Sequence, residues 1–169
     1  MLKFKLIPQF TKTPGYKVDV FMEDFENRLE RDIKEHGLNL YPDFQRGHVW
    51  TEEQQIRYIE YILRGGESGR DFYFNHPGWF RDWKGEYVCV DGLQRITAIL
   101  RFLKNEIPVF GHYRNEYEDS LPFRINFHWH VNDLINKEDV LIWYLEMNEG
   151  GTPHTKEELD RVRSMIKND

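Results

Sequence analysis

An Asp-Gly turn near the middle of the chain carries the residues best suited to chemistry, and the chemistry they suit is phosphate binding. The apolar residues 87–90 predict a short buried strand, and Asp91 and Gly92 follow it directly. Apolar side chains then recur with the spacing of one helix face, at Ile96, Ile99, Leu100 and Leu103. The turn therefore joins the end of a strand to the start of a helix.

A helix that starts straight after a strand directs its unpaired N–H groups and the positive end of its dipole at one point in space. Phosphate is the anion most often bound at such a point. Gln94 and Arg95 stand in the first helical turn, where an amide and a guanidinium can add hydrogen bonds to the same anion. Gly92 lets the backbone approach the ligand closely. The sequence therefore predicts a phosphate-binding turn.

The same residues also fit a purely structural interpretation. Asp91 and Gln94 have the spacing of a capping box, in which each side chain satisfies backbone N–H groups at the helix start. Arg95 would then be a surface ion-pair partner. The turn lacks a full Gly-rich loop, so the pattern of this segment alone leaves both interpretations open.

Two further motifs support the functional interpretation. Residues 42–51 contain the pair Gln45-Arg46 just before a predicted helix, and residues 147–153 contain Asn148, Gly150, Gly151 and Thr152 between two predicted helices. Taken in order with residues 91–95, they resemble the N-terminal domain of the GmrSD type IV restriction enzymes. The resemblance covers about residues 38–162, and residues 1–37 form an N-terminal segment and helix. That family looks related to the ParB and sulfiredoxin fold.

The resemblance implies an α+β fold, a small mixed sheet surrounded by helices, and a nucleotide-binding role for the three motifs. By analogy with ParB- and sulfiredoxin-like proteins, the turn from Gly92 to Arg95 would hold nucleotide phosphates. The phosphate-binding set would be Gln45, Arg46, Gly92, Gln94, Arg95, Thr97, Asn148, Gly150, Gly151 and Thr152. Asp91 would be the catalytic acid and would hold Mg²⁺ through its carboxylate oxygens.

The function implied is nucleotide binding, with Mg²⁺-dependent hydrolysis of nucleoside triphosphates, in phage–host defence or DNA metabolism. In the GmrSD enzymes a separate domain of HNH type cuts DNA, and the sequence shows no such motif, so we expect a free-standing homologue, regulatory or phage-encoded. Two alternatives stay open: a ParB-like nuclease acting through Asp91, and a non-catalytic interaction module. A nuclease should show a basic groove beside Asp91, whereas a nucleotide pocket needs only a few cations.

Composition agrees with one cytoplasmic domain over residues 1–169. Apolar runs are too short to span a bilayer, no signal peptide is evident, and the single cysteine, Cys89, lies in the predicted buried strand. The net charge of −6 disfavours extensive non-specific binding of DNA but permits an anion pocket or a protein partner.

The remaining segments are predicted to form further helices and strands. We predict helices over residues 19–36, where the acidic run would be a solvated face, and after Thr51, whose spacing to Gln54 fits a capping box. Further strands are predicted at 71–75 and 124–131, and further helices around Val140 and after Thr155.

Two clusters of side chains invite functional interpretations that simpler ones outweigh. His128 and His130 lie two apart on a strand, as metal ligands do, but on the face opposite the apolar one, where a solvated pair is expected. Trp79, Phe80 and Trp83 suit the stacking of a base, although packing or a partly exposed loop is the simpler interpretation.

Overall fold

The computed structural model describes residues 3–9, 15–47, 49–122, 125–149 and 156–166, without the side chains of residues 149 and 156. The strands of this part of the chain are β1 (Tyr16–Phe21), β2 (Asp71–Asn75), β3 (Val88–Asp91) and β4 (Asn126–Asn132). Its helices are α1 (Phe25–His36), α2 (Glu52–Leu63), α3 (Leu93–Leu103), α4 (Lys137–Glu149) and α5 (Lys156–Met165). Short 3₁₀ turns occupy Phe4–Leu6, Met22–Asp24 and Arg114–Glu116.

The four strands form one mixed sheet in the order β1-β4-β2-β3. β4 is antiparallel to β1 and parallel to β2, and β3 is antiparallel to β2. The α+β class and the small mixed sheet are therefore confirmed. The relation to ParB and sulfiredoxin stays a prediction, as does the single-domain organisation.

Apolar side chains are buried on both faces of the sheet. The larger core holds Phe25 of α1, Ile59 of α2, Ile99 of α3 and the inward residues of the strands, among them Trp129, each fully buried. The smaller core packs Val88 and Val90 of β3 against α4 and α5. Because β3 has apolar partners on both faces, its whole sequence is apolar until the chain reaches Asp91.

An extended segment runs along the outer edge of β3 and brings the first motif to the sheet. Asn39 forms a parallel bridge with Val88, in which its N–H donates to the carbonyl of Tyr87 at 2.8 Å and its carbonyl accepts from the N–H of Cys89 at 2.9 Å. Since the two segments run in the same direction, residues 42–47 arrive near the end of β3, beside the Asp91 turn.

The predicted helix over residues 19–36 is wrong at its start. Residues 16–21 form strand β1 and residues 22–24 a 3₁₀ turn, so α1 begins only at Phe25. Val18 and Val20 alternate with polar residues and pair with Trp129 and Phe127 of β4. Tertiary pairing at a sheet edge therefore outweighs the helical spacing of a few apolar side chains. The solvated-face interpretation also fails at Asp32, which is buried against Arg28.

Other local predictions are confirmed. The side chain of Thr51 accepts from the N–H of Gln54, and the Gln54 side chain accepts from the N–H of Thr51, which is the predicted capping box of α2. Gly37 caps α1 in the left-handed conformation, and Cys89 is buried. Thr155 lies outside the described residues. Among the residues described, no helix is long and apolar enough to cross a membrane.

Candidate functional site

At one end of the sheet the structure brings together the first two sequence motifs and the described part of the third, which includes Asn148. A cleft of about 230 Å³ opens where β3 passes into α3. It is lined by Gln45, Arg46, Trp50, Asp91, Gly92, Leu93, Gln94, Arg95, Met147 and Asn148. Residues about fifty positions apart in the chain thus share one concave surface, and that surface contains two guanidinium groups and one carboxylate.

The start of α3 is open toward the cleft. Gly92 occupies the N-cap position and so supplies no side-chain cap, the N–H of Leu93 interacts with the side chain of Cys89, and the first N–H to bond backwards along the helix is that of Ile96, to the Gly92 carbonyl at 2.9 Å. The capping-box interpretation of Asp91 and Gln94 is therefore wrong. Gly92 is also required sterically, because its φ is +122° and a Cβ there would stand 2.6 Å from a ring carbon of Phe72.

Asp91 is held by Arg95, one helical turn further on. The Arg95 Nη2 donates to Asp91 Oδ2 at 2.6 Å, and the guanidinium carbon lies 5.5 Å from the centre of the Phe72 ring. The Arg95 Nε is buried and has no hydrogen-bond partner among the described residues. A buried N–H donor without an acceptor is costly, so the ion-pair interpretation of Arg95 is correct but accounts for only part of its hydrogen-bonding capacity.

Gln94 connects the second motif to the first. Its Oε1 accepts from the N–H groups of Val49 at 2.9 Å and Trp50 at 3.1 Å, and its Nε2 donates to the carbonyl of Gly47 at 3.1 Å. Three hydrogen bonds to the backbone leave this side chain little freedom to turn toward a ligand. Its immediate effect is to fix the loop that carries Gln45 and Arg46.

Arg46 lines the cleft together with Arg95. Its Nη1 lies 3.6 Å from Glu158 Oε2 of α5, beyond hydrogen-bond distance, and its side chain is mostly buried. Arg161 of α5 donates to the backbone carbonyls of Asp43 and Phe44 and so holds the same loop against α5. The loop is therefore tied on one side to α3 and on the other to α5.

The third motif is described only in part. Asn148 lines the cleft near the end of α4, where its Nδ2 donates to the carbonyl of Tyr144 at 2.7 Å. Burial raises the pKa of Tyr144 to about 12, so its phenol is neutral at physiological pH. Gly150, Gly151 and Thr152 lie outside the described residues. Thr97 does not line the cleft, because its hydroxyl donates to the Leu93 carbonyl one turn back in α3.

The donor set of the cleft suits Mg²⁺ only if a ligand completes it. Asp91 is its one carboxylate among the lining residues described, and its side chain is 36% exposed. Across the described part of the chain, no three His, Cys, Asp or Glu side chains are grouped to hold a metal ion. Mg²⁺ is commonly bound through one or two carboxylates, water and substrate phosphates. Asp91 therefore fits as a single protein ligand for a phosphate-bound Mg²⁺.

Three residues that line the cleft lie outside the predicted site: Trp50, Leu93 and Met147. Trp50 follows the Gln45-Arg46 pair, and its ring packs edge-on against that of Tyr58 with centroids 5.5 Å apart. Met147 lies in the last turn of α4. The sequence did contain a reason to include Trp50. It is the last residue before the α2 capping box, so it lies in the same loop as Gln45 and Arg46. Met147 had no signal beyond its place next to Asn148.

The histidine pair is engaged with carboxylates rather than poised to bind metal. His128 Nδ1 is 2.7 Å from Asp19 Oδ1, and His130 Nε2 is 2.6 Å from Asp71 Oδ1. Each aspartate faces its histidine from a neighbouring strand. The hydrogen bond from His128 lowers the pKa of Asp19. The two imidazoles are partly exposed, as a lightly packed pair should be.

Comparison with known proteins gives one family. The model of the GmrSD restriction endonuclease N-terminal domain matches residues 27–138, about two-thirds of the chain, and spans the first two motifs of the cleft. No curated protein and no solved structure matches the chain. The chain belongs to the GmrSD N-terminal domain family.

Proposed function

We propose that this member of the GmrSD N-terminal domain family binds a nucleoside triphosphate with Mg²⁺ in the cleft at the start of α3 and hydrolyses it. The proposal rests on one observation: the start of α3, which has no side-chain cap, lines the same cleft as two arginines from separate motifs. Helix N–H groups and guanidinium forks are the two commonest ways in which proteins hold phosphate. Restriction of phage DNA is the setting in which we expect this activity to serve.

The cleft suits the phosphate part of a nucleotide. Its volume of about 230 Å³ is below the ~300–1,000 Å³ typical of pockets that enclose whole ligands. The phosphates would occupy the space between Arg46 and Arg95, and the nucleoside would extend outward past Trp50. The partly buried indole of Trp50 offers a flat surface for a base there.

Both arginines have capacity to spare for an anion. Arg95 uses Nη2 for Asp91, while its Nε is buried without an acceptor among the described residues, so a phosphate oxygen that reached Nε would satisfy an unpaired donor. Arg46 stands 3.6 Å from Glu158, too far for a hydrogen bond, so a phosphate competes with a weak contact. Binding would therefore add charged hydrogen bonds without breaking strong ones.

Asp91 would supply the chemistry of the site. Its Oδ2 is bound to Arg95, which leaves Oδ1 for a phosphate-bound cation or for the water that attacks the terminal phosphate. Mg²⁺, when bound, would neutralise charge on the phosphates and lower the repulsion between them and the carboxylate. Arg95 orients the carboxylate, and Gln94 orients the loop of Arg46.

The distribution of cations favours this function over a nuclease. Among the described lining residues the cations are Arg46 and Arg95, and each is next to a carboxylate. A nuclease that holds duplex DNA would need a continuous basic groove beside Asp91. Two cations in one small cleft match a phosphate chain better than a polynucleotide backbone.

Phosphate release from each common nucleoside triphosphate, with and without Mg²⁺, tests the proposal. We expect turnover with at least one nucleotide in Mg²⁺, and its loss in Asp91→Asn with binding retained. Asp82→Asn, at an exposed carboxylate outside the cleft, is the matched control and should keep full turnover. Turnover that survives Asp91→Asn would remove Asp91 from the chemistry, and absence of binding by every nucleotide would reject the function.

A further inference from the structure

A second cavity lies at the opposite end of the sheet from the cleft. It has a volume of about 370 Å³, within the range of pockets that hold small ligands. It lies where β1 begins, β2 and β4 end and β3 starts, whereas the cleft lies where β3 ends. Its lining consists of Tyr16, Arg28, Arg31, Asp32, His36, His76, Trp79, Trp83, Tyr87 and Val131.

His76 contributes a neutral imidazole to the wall of this cavity. The residue is 1% exposed, and its Nδ1 accepts from the N–H of Gly78 at 3.2 Å. Burial, with a smaller contribution from His36, lowers the pKa of His76, so the ring is neutral near pH 7. His76 therefore adds a polar group to the cavity wall without adding a charge.

Trp79 presents a buried hydrogen-bond donor without an acceptor. Its ring packs against Tyr16 with centroids 5.5 Å apart, and its indole N–H is buried without a hydrogen-bond partner among the described residues. Buried N–H groups nearly always find acceptors in proteins. This unpaired donor in the cavity lining therefore indicates that a ligand with a hydrogen-bond acceptor belongs in the cavity.

Trp83 is held at the rim in an unfavourable backbone conformation. Its φ is +57°, and this backbone conformation is energetically unfavourable for a residue with a bulky side chain. The side chain is nevertheless 57% exposed, so burial of the ring does not compensate for the strain. Its N–H donates to the Gly78 carbonyl at 2.9 Å and its ring stacks on His36 at 4.7 Å. An exposed aromatic ring fixed in this way is a preformed surface for another flat ring.

The loop that carries both tryptophans is rigidly built. A Cβ at Gly78 would stand 2.2 Å from the carbonyl oxygen of Lys84, and one at Gly85 would stand 2.7 Å from the ring of Pro77. The two ends of the loop are thus in direct backbone contact, which fixes the positions of Trp79 and Trp83 without a bound ligand. Pre-organisation of this kind lowers the entropic cost of binding.

The charge facing the cavity is positive. Asp32 is 1% exposed and its carboxylate accepts from Arg28 Nε at 2.9 Å and from the Tyr87 hydroxyl at 3.3 Å. Its negative charge is therefore neutralised within the wall by Arg28. Arg31, on the next turn of α1, is exposed at the rim and adds a positive charge that Asp32 does not balance.

We propose that this cavity, which we call the aromatic cavity, is a second ligand site that binds a small planar aromatic anion, with its ring on Trp83 and its acidic group toward Arg31. Flat rings line the cavity, the indole N–H of Trp79 lacks an acceptor among the described residues, and the unbalanced charge is positive, so the three features together select this class of compound. The site is independent of the cleft at α3 and does not rest on nucleotide hydrolysis.

Titration of the ¹⁵N-labelled chain with indole-3-acetate, followed by NMR of the tryptophan indole N–H groups, tests this proposal. Indole-3-acetamide, which has the same ring without the charge, is the matched probe. We expect saturable shifts of the Trp79 and Trp83 signals, no shift of Trp50 in the cleft, and at least fivefold weaker binding of the amide. Equal binding of acid and amide, or the absence of saturable shifts at Trp79 and Trp83, would overturn the proposal.

Two pairs of surface variants make the test specific. Trp83→Ala should weaken binding of indole-3-acetate at least fivefold, whereas Phe80→Ala, at an exposed aromatic residue of the same loop outside the cavity lining, should not. Arg31→Gln should weaken it to a similar degree, and Arg57→Gln, at an exposed arginine of α2, should not. Equal effects within either pair would show that the probe does not occupy the aromatic cavity.

Discussion

Replacing Arg95 separates the binding function of the cleft from its structural support. In the folded state the arginine forms an i,i+4 ion pair with Asp91, in which the two side chains are 21% and 36% exposed, and it lies over the ring of Phe72. An ion pair of this exposure contributes ~0.3–0.5 kcal/mol and the ring contact ~0.5–1 kcal/mol. We therefore expect Arg95→Ala to lower the free energy of unfolding by about 1 kcal/mol.

The effect on phosphate binding should be larger. A hydrogen bond that involves a charged group contributes ~1.5–3 kcal/mol, which corresponds to a loss of roughly 10- to 150-fold in affinity. Arg95→Lys keeps the positive charge but loses Nε and the planar fork. We expect the lysine variant to be nearly as stable as the parent, yet to lose most of the affinity that the alanine variant loses.

Urea unfolding and isothermal titration with the Mg²⁺ complex of the tightest nucleotide measure the two quantities on the same preparations. Arg57→Ala, which removes an exposed i,i+4 ion pair on α2, controls for the loss of a surface arginine. A fall in stability of more than about 3 kcal/mol with unchanged affinity would show that Arg95 is structural only. Full affinity in Arg95→Lys would refute the role of the guanidinium fork.

Three further variants test the cleft and the sheet. Gln94→Glu keeps the acceptor for two backbone N–H groups but loses the donor to Gly47, so it should lower the free energy of unfolding in urea by ~1 kcal/mol and weaken nucleotide binding. Unchanged binding would show that the loop of Arg46 does not depend on Gln94. Gly92→Ala should cost ~2–4 kcal/mol, because its Cβ would meet Phe72 and its φ is positive, and a cost below about 1 kcal/mol would contradict the required geometry. His128 lowers the pKa of Asp19, so their contact stabilises the folded state when the pH is above 3.8, the ordinary pKa of the carboxyl. This stabilisation is lost as the pH falls through the lowered pKa. Urea unfolding at pH 5 and pH 2.5 should therefore show a larger loss of stability in Asp19→Asn at pH 5 than at pH 2.5, and an equal difference at both pH values would contradict the assignment.

Much of the local structure could be predicted because it depends on neighbours in the sequence. The α2 capping box, the glycine cap of α1 and the turn from β3 into α3 each involve residues within a few positions of one another. β1 could not be predicted in this way. It is stable through pairing with β4, more than a hundred residues away, and neither strand reveals its partner in the sequence.

The candidate site shows the same division. The residue types and the three motifs indicated a phosphate site, and the resemblance to the family implied that they converge. The sequence did not reveal that Gln94 would bond to the backbone of the loop rather than face a ligand, since that depends on how the loop before α2 folds over α3. The aromatic cavity could not be predicted either, because its lining comes from two strands, a helix and the loop between β2 and β3.

The most direct test of the account is NMR of the backbone amides in the first turn of α3 during titration with a Mg²⁺-nucleoside triphosphate. The N–H groups of Gln94 and Arg95 should show the largest downfield shifts in the chain, because they would donate to phosphate oxygens. The signals should saturate at the affinity found by calorimetry, and the Trp83 indole signal should not move. Saturable binding that leaves these two amides unshifted would contradict the central claim that phosphate is held at the start of α3.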